Sequence, residues 1–217
     1  MPGLVVGAFG GFERFGYDIR SLTGKLSGDG LTGGAYLGWR IVPGIRFDLV
    51  GAYSGIDYDA RAATASGTFL GQRRLVSTGL TGTYALNGIL LEPSARVFAI
   101  WERQGTWADS LGVQQAANSF SVGRASAGFR AAYPVVVGSG LTLSPYAGIY
   151  GDYYFSRGEA PTPGTEILAI ADGWSARAIS GLAFDVGGAA VSVGGEWGGI
   201  GADHTQRSVT LRGALPF

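Results

Sequence analysis

Cysteine is absent from the 217 residues, lysine occurs once, at Lys25, and histidine once, at His204. The lack of cysteine excludes disulfides and thiolate metal sites. The 16 basic and 16 acidic residues cancel to zero net charge, so nucleic-acid binding by bulk charge has no support. Charged residues make up only 15% of the chain, against about 25% in ordinary soluble domains. Arginine supplies nearly all of the positive charge. A solvated surface normally relies on strongly hydrated lysine, whereas arginine suits ion pairs in confined places. No apolar run approaches the ~18 residues of a membrane helix. The opening residues, from Met1 to Val6, show neither the basic stretch nor the cleavage site of a secretory signal.

Hydrophobic residues account for 46% and aromatics for 12%, enough to build one domain. Glycine counts 39, far above the usual share of about 7% and without the three-residue period of collagen. The dominant pattern is alternation with period two over long stretches. Between Leu141 and Phe155 one face carries Leu141, Leu143, Ala147, Ile149, Tyr153 and Phe155, and the other Thr142, Ser144, Tyr146, Tyr150 and Asp152. Segments Ile89–Trp101, Phe120–Tyr133, Trp174–Val186, Leu31–Ile41, Ile45–Tyr53 and Val191–Trp197 split the same way. The last strand places Val209, Leu211, Gly213, Leu215 and Phe217 on one face, ending on an aromatic residue. Soluble termini are usually polar and frayed; a terminal aromatic strand suits the interfacial girdle of a closed membrane barrel.

Connections alternate in length. Tight links are expected at Val42-Pro43-Gly44, Leu86-Asn87-Gly88, from Val137 to Gly140 and at Val186-Gly187-Gly188, with Asn-Gly the strongest hairpin signal. Longer polar links are expected at Asp18–Gly30, Asp57–Gly71, Arg103–Asn118, Arg157–Asp172 and Gly199–Gln206. Short turns on one rim and long loops on the other are the pattern of an outer-membrane barrel. The reading is an all-β antiparallel transmembrane β-barrel with about ten strands visible, the first around Leu4–Tyr17 with faces the pattern does not orient. Its strands exceed the 5–6 residues usual in soluble sheets. Its polar face carries near-balanced charges, read as a paired lumen lining: Arg40, Arg46, Asp48, Glu92, Arg96, Arg124, Arg130, Asp152, Arg177, Asp185, Glu196 and Arg212. Arg124 and Arg130 are expected to find acidic neighbours such as Glu92 or Asp152. Aromatics near strand ends (Trp39, Tyr53, Tyr58, Tyr84, Trp101, Tyr133, Tyr153, Phe155, Trp174, Trp197, Phe217) are expected to form the girdles.

Signals for catalysis are thin. His204 follows Asp203 in the last outer link, and Asp57 or Asp59 could face it as in an outer-membrane protease. Adjacent strand residues point to opposite faces, however, so Asp203 is badly placed to orient His204. No Ser/His/acid set or His/Asp/Glu metal cluster is evident. The Gly10-Gly11 and Gly187-Gly188 pairs open no helix, so phosphate binding has no support. The chain is expected to need no cofactor.

Several runs resemble the autotransporter β-domain family. Gly33-Gly34-Ala35-Tyr36-Leu37-Gly38-Trp39-Arg40 is similar to its Gly-x-Tyr-x-Gly strand. Gly82-Thr83-Tyr84, the stretch from Leu91 to Val97, the stretch from Gly123 to Gly128 and the stretch from Leu143 to Tyr150 continue the likeness over nearly the whole chain. The resemblance implies a C-terminal twelve-stranded outer-membrane translocator that delivers an upstream passenger to the bacterial surface. It also implies a linker helix in the pore and a barrel-assembly machinery that reads the terminal strand, here Val209, Leu211, Leu215 and Phe217. Two departures stand out: Pro216 in the tail, where a ladder donor is missing, and a start that leaves out passenger, helix and two strands. The chain is accordingly expected to be an N-terminally truncated member, the alternative being a complete ten-stranded barrel closing on Leu4–Tyr17. A stand-alone porin and an adhesin with binding loops remain alternative functions, and a protease a remote one. Expected partners are outer-membrane lipid, the assembly machinery and a passenger in cis.

Overall fold

A computed structural model describes residues 3–19, 24–138, 140–158, 173–202 and 205–215. The expectations placed on Asp203, His204, Pro216, Phe217 and the stretch 159–172 lie outside the described residues. The strands are β1 (Leu4–Ile19), β2 (Gly24–Val42), β3 (Ile45–Ala62), β4 (Ala65–Gly82), β5 (Tyr84–Leu86), β6 (Ile89–Gln104), β7 (Trp107–Ala108), β8 (Gln114–Gln115), β9 (Asn118–Ala132), β10 (Val135–Val136), β11 (Leu141–Gly158), β12 (Gly173–Val186), β13 (Ala189–Ile200) and β14 (Gln206–Ala214). The principal order is β1-β2-β3-β4-β6-β9-β11-β12-β13-β14, a meander of antiparallel neighbours. Short β5 and β10 continue β4 and β9 past breaks at Thr83 and at Tyr133-Pro134, and β7 pairs β8 apart from the main sheet.

The tight links fold for the reasons their residues suggest. Asn87 and Gly88 both have positive φ, 49° and 84°, the backbone of a two-residue hairpin turn. Pro43 presets one turn position and Gly44, at φ 81°, supplies the other. Two expected long loops are corrected. Asp18–Gly30 and Asp57–Gly71 are mostly strand, with β1 running to Ile19, β2 starting at Gly24, and β3 and β4 joined through Ala63 and Thr64 alone. Alternation in fact continues through Asp57-Tyr58-Asp59-Ala60-Arg61, but there the outward face turns from oily to charged, which makes it look like a loop. The alternative of a ten-stranded closed barrel is not what forms: among the described residues no ladder joins β14 to β1.

The sheet is strongly curved. Arg73 Nη1 on β4 lies 3.1 Å from Glu13 Oε2 on β1. Those strands are three sheet positions apart, which a flat sheet would separate by ~14 Å. Two side chains bridge that gap comfortably only across a concavity, so the face bearing Glu13 and Arg73 is the inner one. Register then assigns every strand: Val5, Gly38, Asp48, Gly79, Arg96, Ser126, Asp152 and Ser175 share that inner face.

Burial is inverted relative to a soluble sheet. Asp152 on the concave face is 0% exposed, whereas Leu31 and Val209 on the convex face are 71% and 83% exposed. On the convex face β3 reads Phe47, Leu49, Gly51, Tyr53 and β2 reads Trp39, Leu37, Ala35, Gly33, Leu31, without a charge. Charges begin just beyond, at Asp57 and Asp29. This oily band is the surface a barrel offers to acyl chains. Trp39, Tyr53, Tyr84, Trp101, Tyr133, Tyr153, Phe155, Trp174 and Trp197 stand exposed on it. Tyr58 is corrected: it faces inward and is buried, because its parity matches Ile56 and not Tyr53.

Glycine makes room for rings. Phe15 lies over Gly28, where a Cβ would fall 2.6 Å from Cζ, and Tyr58 lies over Gly71 at 2.5 Å from Cε2. Tyr36 over Gly7, Phe9 over Gly34 and Tyr146 over Gly194 repeat the arrangement on the concave side. Cross-strand aromatic–glycine pairs of this kind restore the packing that glycine alone leaves out of a curved sheet.

Candidate functional site

Alternation brings all twelve of the polar residues singled out above onto the concave face, but it does not pair all of them. Arg96 Nη1 meets Asp48 Oδ2 at 2.7 Å and reaches Ser77 Oγ at 3.2 Å. Arg130 Nη1 donates to Glu92 Oε2 at 2.6 Å, and its guanidinium lies 4.2 Å over the Tyr146 ring. Arg177 donates from Nε to Asp152 Oδ2 at 2.7 Å and from Nη1 to Glu196 Oε2 at 3.1 Å, with its guanidinium 4.5 Å over Tyr150. Ser126 donates to the remaining oxygen of Asp152. Arg124 has Asp152 as an electrostatic neighbour, as expected, but forms no direct ion pair with it, and its guanidinium rests 5.9 Å from the Tyr154 ring centroid. Arg40, Arg46, Asp185 and Arg212 form no ion pair among the described residues, and Arg40 stands directly opposite Arg46 in the ladder.

The densest polar cluster is one that sequence reasoning missed. Glu102, with a side chain 1% exposed, accepts from Tyr58 Oη at 2.5 Å, Arg73 Nε at 2.9 Å and Gln104 Nε2 at 3.1 Å. Arg73 also grips both oxygens of Glu13, at 3.1 and 3.2 Å. One arginine thereby ties β1, β4 and β6 together. Around it runs a ladder of rings: Phe15 with Tyr58 at 5.7 Å, Tyr58 on Phe69 at 4.8 Å, and Phe69 on Trp107 at 5.4 Å. Leu26, Ile56 and Tyr58 form the buried apolar cluster here. The cluster sits beyond the oily band, at the rim opposite the tight turns. Glu13 was missed because Gly7 and Gly11 blank out the alternation of β1; Tyr58 was misplaced because its segment resembled a loop, and Arg73 follows just after that segment, Asp57–Gly71.

Trp107 enters from the link between β6 and β9. Its ring fills the space that a side chain at Gly67 would take. Ser110 N donates to Ser66 O at 2.7 Å and Gly105 N to Leu70 O at 2.9 Å, seating the small β7–β8 hairpin against β4. Asp109 organises the turn: its Oδ1 accepts from Val113 N at 3.0 Å and Leu111 N at 2.9 Å, and Oδ2 from Gln115 Nε2 at 3.2 Å. Those bonds, the Val113 amide first, hold its carboxyl below the ordinary value of 3.8.

A second correction concerns polarity. The concave face was expected to be polar throughout, yet one stripe is apolar: Phe9, Val50, Leu75, Phe98, Ile100 and Val122, with Tyr36 beside them. Phe9 and Tyr36 are 40% and 41% exposed on it. The charged pairs flank it: Arg73 with Glu13 and Glu102 toward the mouth, Arg96 with Asp48 toward the tight turns, and the pairs of Arg130 and Arg177 along β6 to β13. Chemically the surface mostly holds charge without deploying it: on the concave face Glu13, Asp48, Glu92, Glu102, Asp152 and Glu196 are each bound to an arginine, and no group of three metal-ligating side chains exists among the described residues. Val209 and Leu211 lie on the convex face of β14 and Leu215 just after it, all widely exposed.

Comparison with known proteins accords with this geometry. The family model for the autotransporter beta-domain matches residues 1–198. The chain is similar in fold to the crystal structure of the beta domain of the Bordetella autotransporter BrkA, with TM-score 0.62 and 15% identity over 97% of this chain and 88% of that one. No curated protein sequence matches. With its open, ten-strand antiparallel sheet, oily outside and ion-paired inside, the chain belongs to the autotransporter β-domain family, whose barrels are outer-membrane translocators for an attached passenger.

Proposed function

We propose that this chain anchors a passenger in the bacterial outer membrane and exports it to the cell surface, with the concave face as the wall of the route. The observation that carries this reading is the two-toned interior. A water-filled porin needs a polar lining, whereas here Phe9, Val50, Leu75, Phe98, Ile100 and Val122 form an apolar stripe beside a wall of ion pairs. An amphipathic peptide segment finds complementary surface on both. The ion pairs Asp48–Arg96, Glu92–Arg130 and Asp152–Arg177–Glu196 act structurally, fixing register and offering few unsatisfied charges to a passing chain. The passenger lies in cis, upstream. The convex band contacts lipid, and Val209, Leu211, Leu215 and Phe217 serve as the segment the assembly machinery reads. The barrel itself performs no catalysis.

The test uses the natural reading frame expressed in a Gram-negative host. Surface protease accessibility of the passenger is compared between wild type and Val50→Asp/Leu75→Asp. Export should fall several-fold while the heat-modifiable migration of the folded barrel persists. Unchanged export, or a large open-pore conductance with no passenger in the frame, would point to a porin instead.

A further inference from the structure

The convex face changes character at one level on β4, β6 and β9. Going toward the mouth, β4 reads Leu80, Thr78, Val76, then Arg74 and Gln72; β6 reads Val97, Ala99, Trp101, then Arg103; β9 reads Ala125, Gly123, then Ser121 and Ser119. Register sets Arg74, Trp101 and Ser121 in one row and Gln72, Arg103 and Ser119 in the next. Arg74 and Arg103 are therefore diagonal neighbours with Cα atoms about 7–8 Å apart. These residues line a shallow hollow of about 480 Å³.

Both guanidinium groups are exposed, and neither has a carboxylate within ion-pair distance among the described residues. Among the convex-face arginines with described side chains, the others differ: Arg14 holds Asp29 at 2.5 Å, Arg61 holds Asp59 at 3.3 Å and Arg207 lies 5.9 Å over Trp197. Two uncommitted guanidinium forks, with the Ser119 hydroxyl and the Gln72 amide beside them, match the oxygens of a phosphate monoester, which arginine binds bidentately. Directly below, Trp101, Val76 and Ala99 continue as oily surface. A free anion has no use for that surface, but the acyl chains of a lipid do.

We propose that the hollow between Arg74 and Arg103 is a binding site for the phosphorylated headgroup of an outer-leaflet glycolipid. The proposal rests on the outer-membrane reading, because the site is useful only where the band below it is immersed. Basic groups at the membrane surface recognise anionic lipid in this way.

The experiment uses the full-length protein purified in neutral detergent and titrated with lipid A, a diphosphorylated acylated glucosamine disaccharide. Its dephosphorylated form and inorganic phosphate are the comparison probes, and bound lipid is counted by native mass spectrometry. Arg74→Gln/Arg103→Gln should weaken lipid A binding at least about tenfold. Arg14→Gln/Arg207→Gln, with the same loss of charge, should leave it within about twofold, and Arg74→Lys/Arg103→Lys should fall between, keeping charge but losing the fork. Inorganic phosphate should not compete at millimolar concentration, and the dephosphorylated lipid should bind like the double glutamine variant. Equal losses in both glutamine pairs, competition by inorganic phosphate, or indifference to dephosphorylation each overturn the site. Reconstitution of the wild type into phospholipid vesicles separates the two readings. A chain that inserts and gains heat-modifiable migration but shows no selectivity refutes only the headgroup site. A chain that fails to insert refutes the membrane reading and the site with it.

Discussion

Arg73→Met is the substitution with the most to lose. Its guanidinium is the shared cation of Glu13 and Glu102, and Glu102 is 1% exposed. Methionine keeps the length and oiliness of the stem but strands Glu102 with only the Tyr58 hydroxyl and the Gln104 amide. Breaking a buried pair by removing one partner costs about 3–5 kcal/mol, mostly for the charge left behind. Arg73 is itself 21% exposed and Glu13 34%, and solvent softens the Glu13 half, so the lower end, about 3 kcal/mol, applies here. For a domain of this size that lowers the melting temperature by roughly 6–12 °C. The assay is loss of heat-modifiable electrophoretic migration, or of the β-sheet circular dichroism signal, on heating in detergent. The companion Arg73→Met/Glu102→Gln removes the stranded charge and should recover most of the loss, since neutral pairs replace ionic ones at little net cost. An unchanged melt for the single variant, or a double variant as poor as the single, would refute the argument that buried charge governs this rim.

Three further outcomes test other layers. Gly128→Ala should destabilise by about 1–3 kcal/mol, because a Cβ there meets the Ile149 carbonyl and the Tyr150 backbone, whereas Gly33→Ala, with nothing within 4 Å, should melt like wild type. Arg40→Glu places a carboxylate opposite Arg46 in place of a like charge, and should raise stability by about 0.2–1 kcal/mol, less at high salt. The Asp109 carboxyl titrates below its ordinary value of 3.8, so the order it lends the β7–β8 hairpin is fully present above that value and is lost as pH falls through the lower folded value. Amide-exchange protection at Leu111 and Val113 should follow that course, while Asp109→Ala should lack it at every pH.

Much of this architecture is legible in sequence because the inner and outer surfaces have opposite chemistry. Wherever one face was wholly apolar, as at Leu143-Ser144-Pro145-Tyr146-Ala147, alternation fixed both the strand and its orientation, and the ladder of β11 against β12 agrees residue by residue. Beyond the oily band the contrast disappears. Tyr58 faces inward between two outward aspartates, so the oily and polar faces trade places while the strand continues. Glycine hid the rest: Gly7 and Gly11 carry no signal of direction, yet the bareness of Gly7 admits Tyr36, and that of Gly34 admits Phe9. The ion pairs were foreseeable as a balance of charges but not as partners, since Arg177 must choose Asp152 and Glu196 through a register that only the folded sheet defines.

The scarcity of lysine now has a structural cause. Along β11, Tyr146, Tyr150 and Tyr154 point inward at four-residue intervals, and each carries an arginine from a neighbouring strand: Arg130, Arg177 and Arg124. Arg177 stacks on Tyr150 while bonding to Asp152 on one side and Glu196 on the other, three engagements from one planar group. An ammonium ion could make any one of these, but not all in that geometry, and it would hold its water more tightly. In a concavity where side chains from many strands converge, a cation that stacks and forks supplies cross-strand ties without needing a hydration shell. On the proposed export route, the same property sets arginine-bound carboxylates on one flank of a passing peptide and the apolar stripe of Leu75, Ile100 and Val122 on the other.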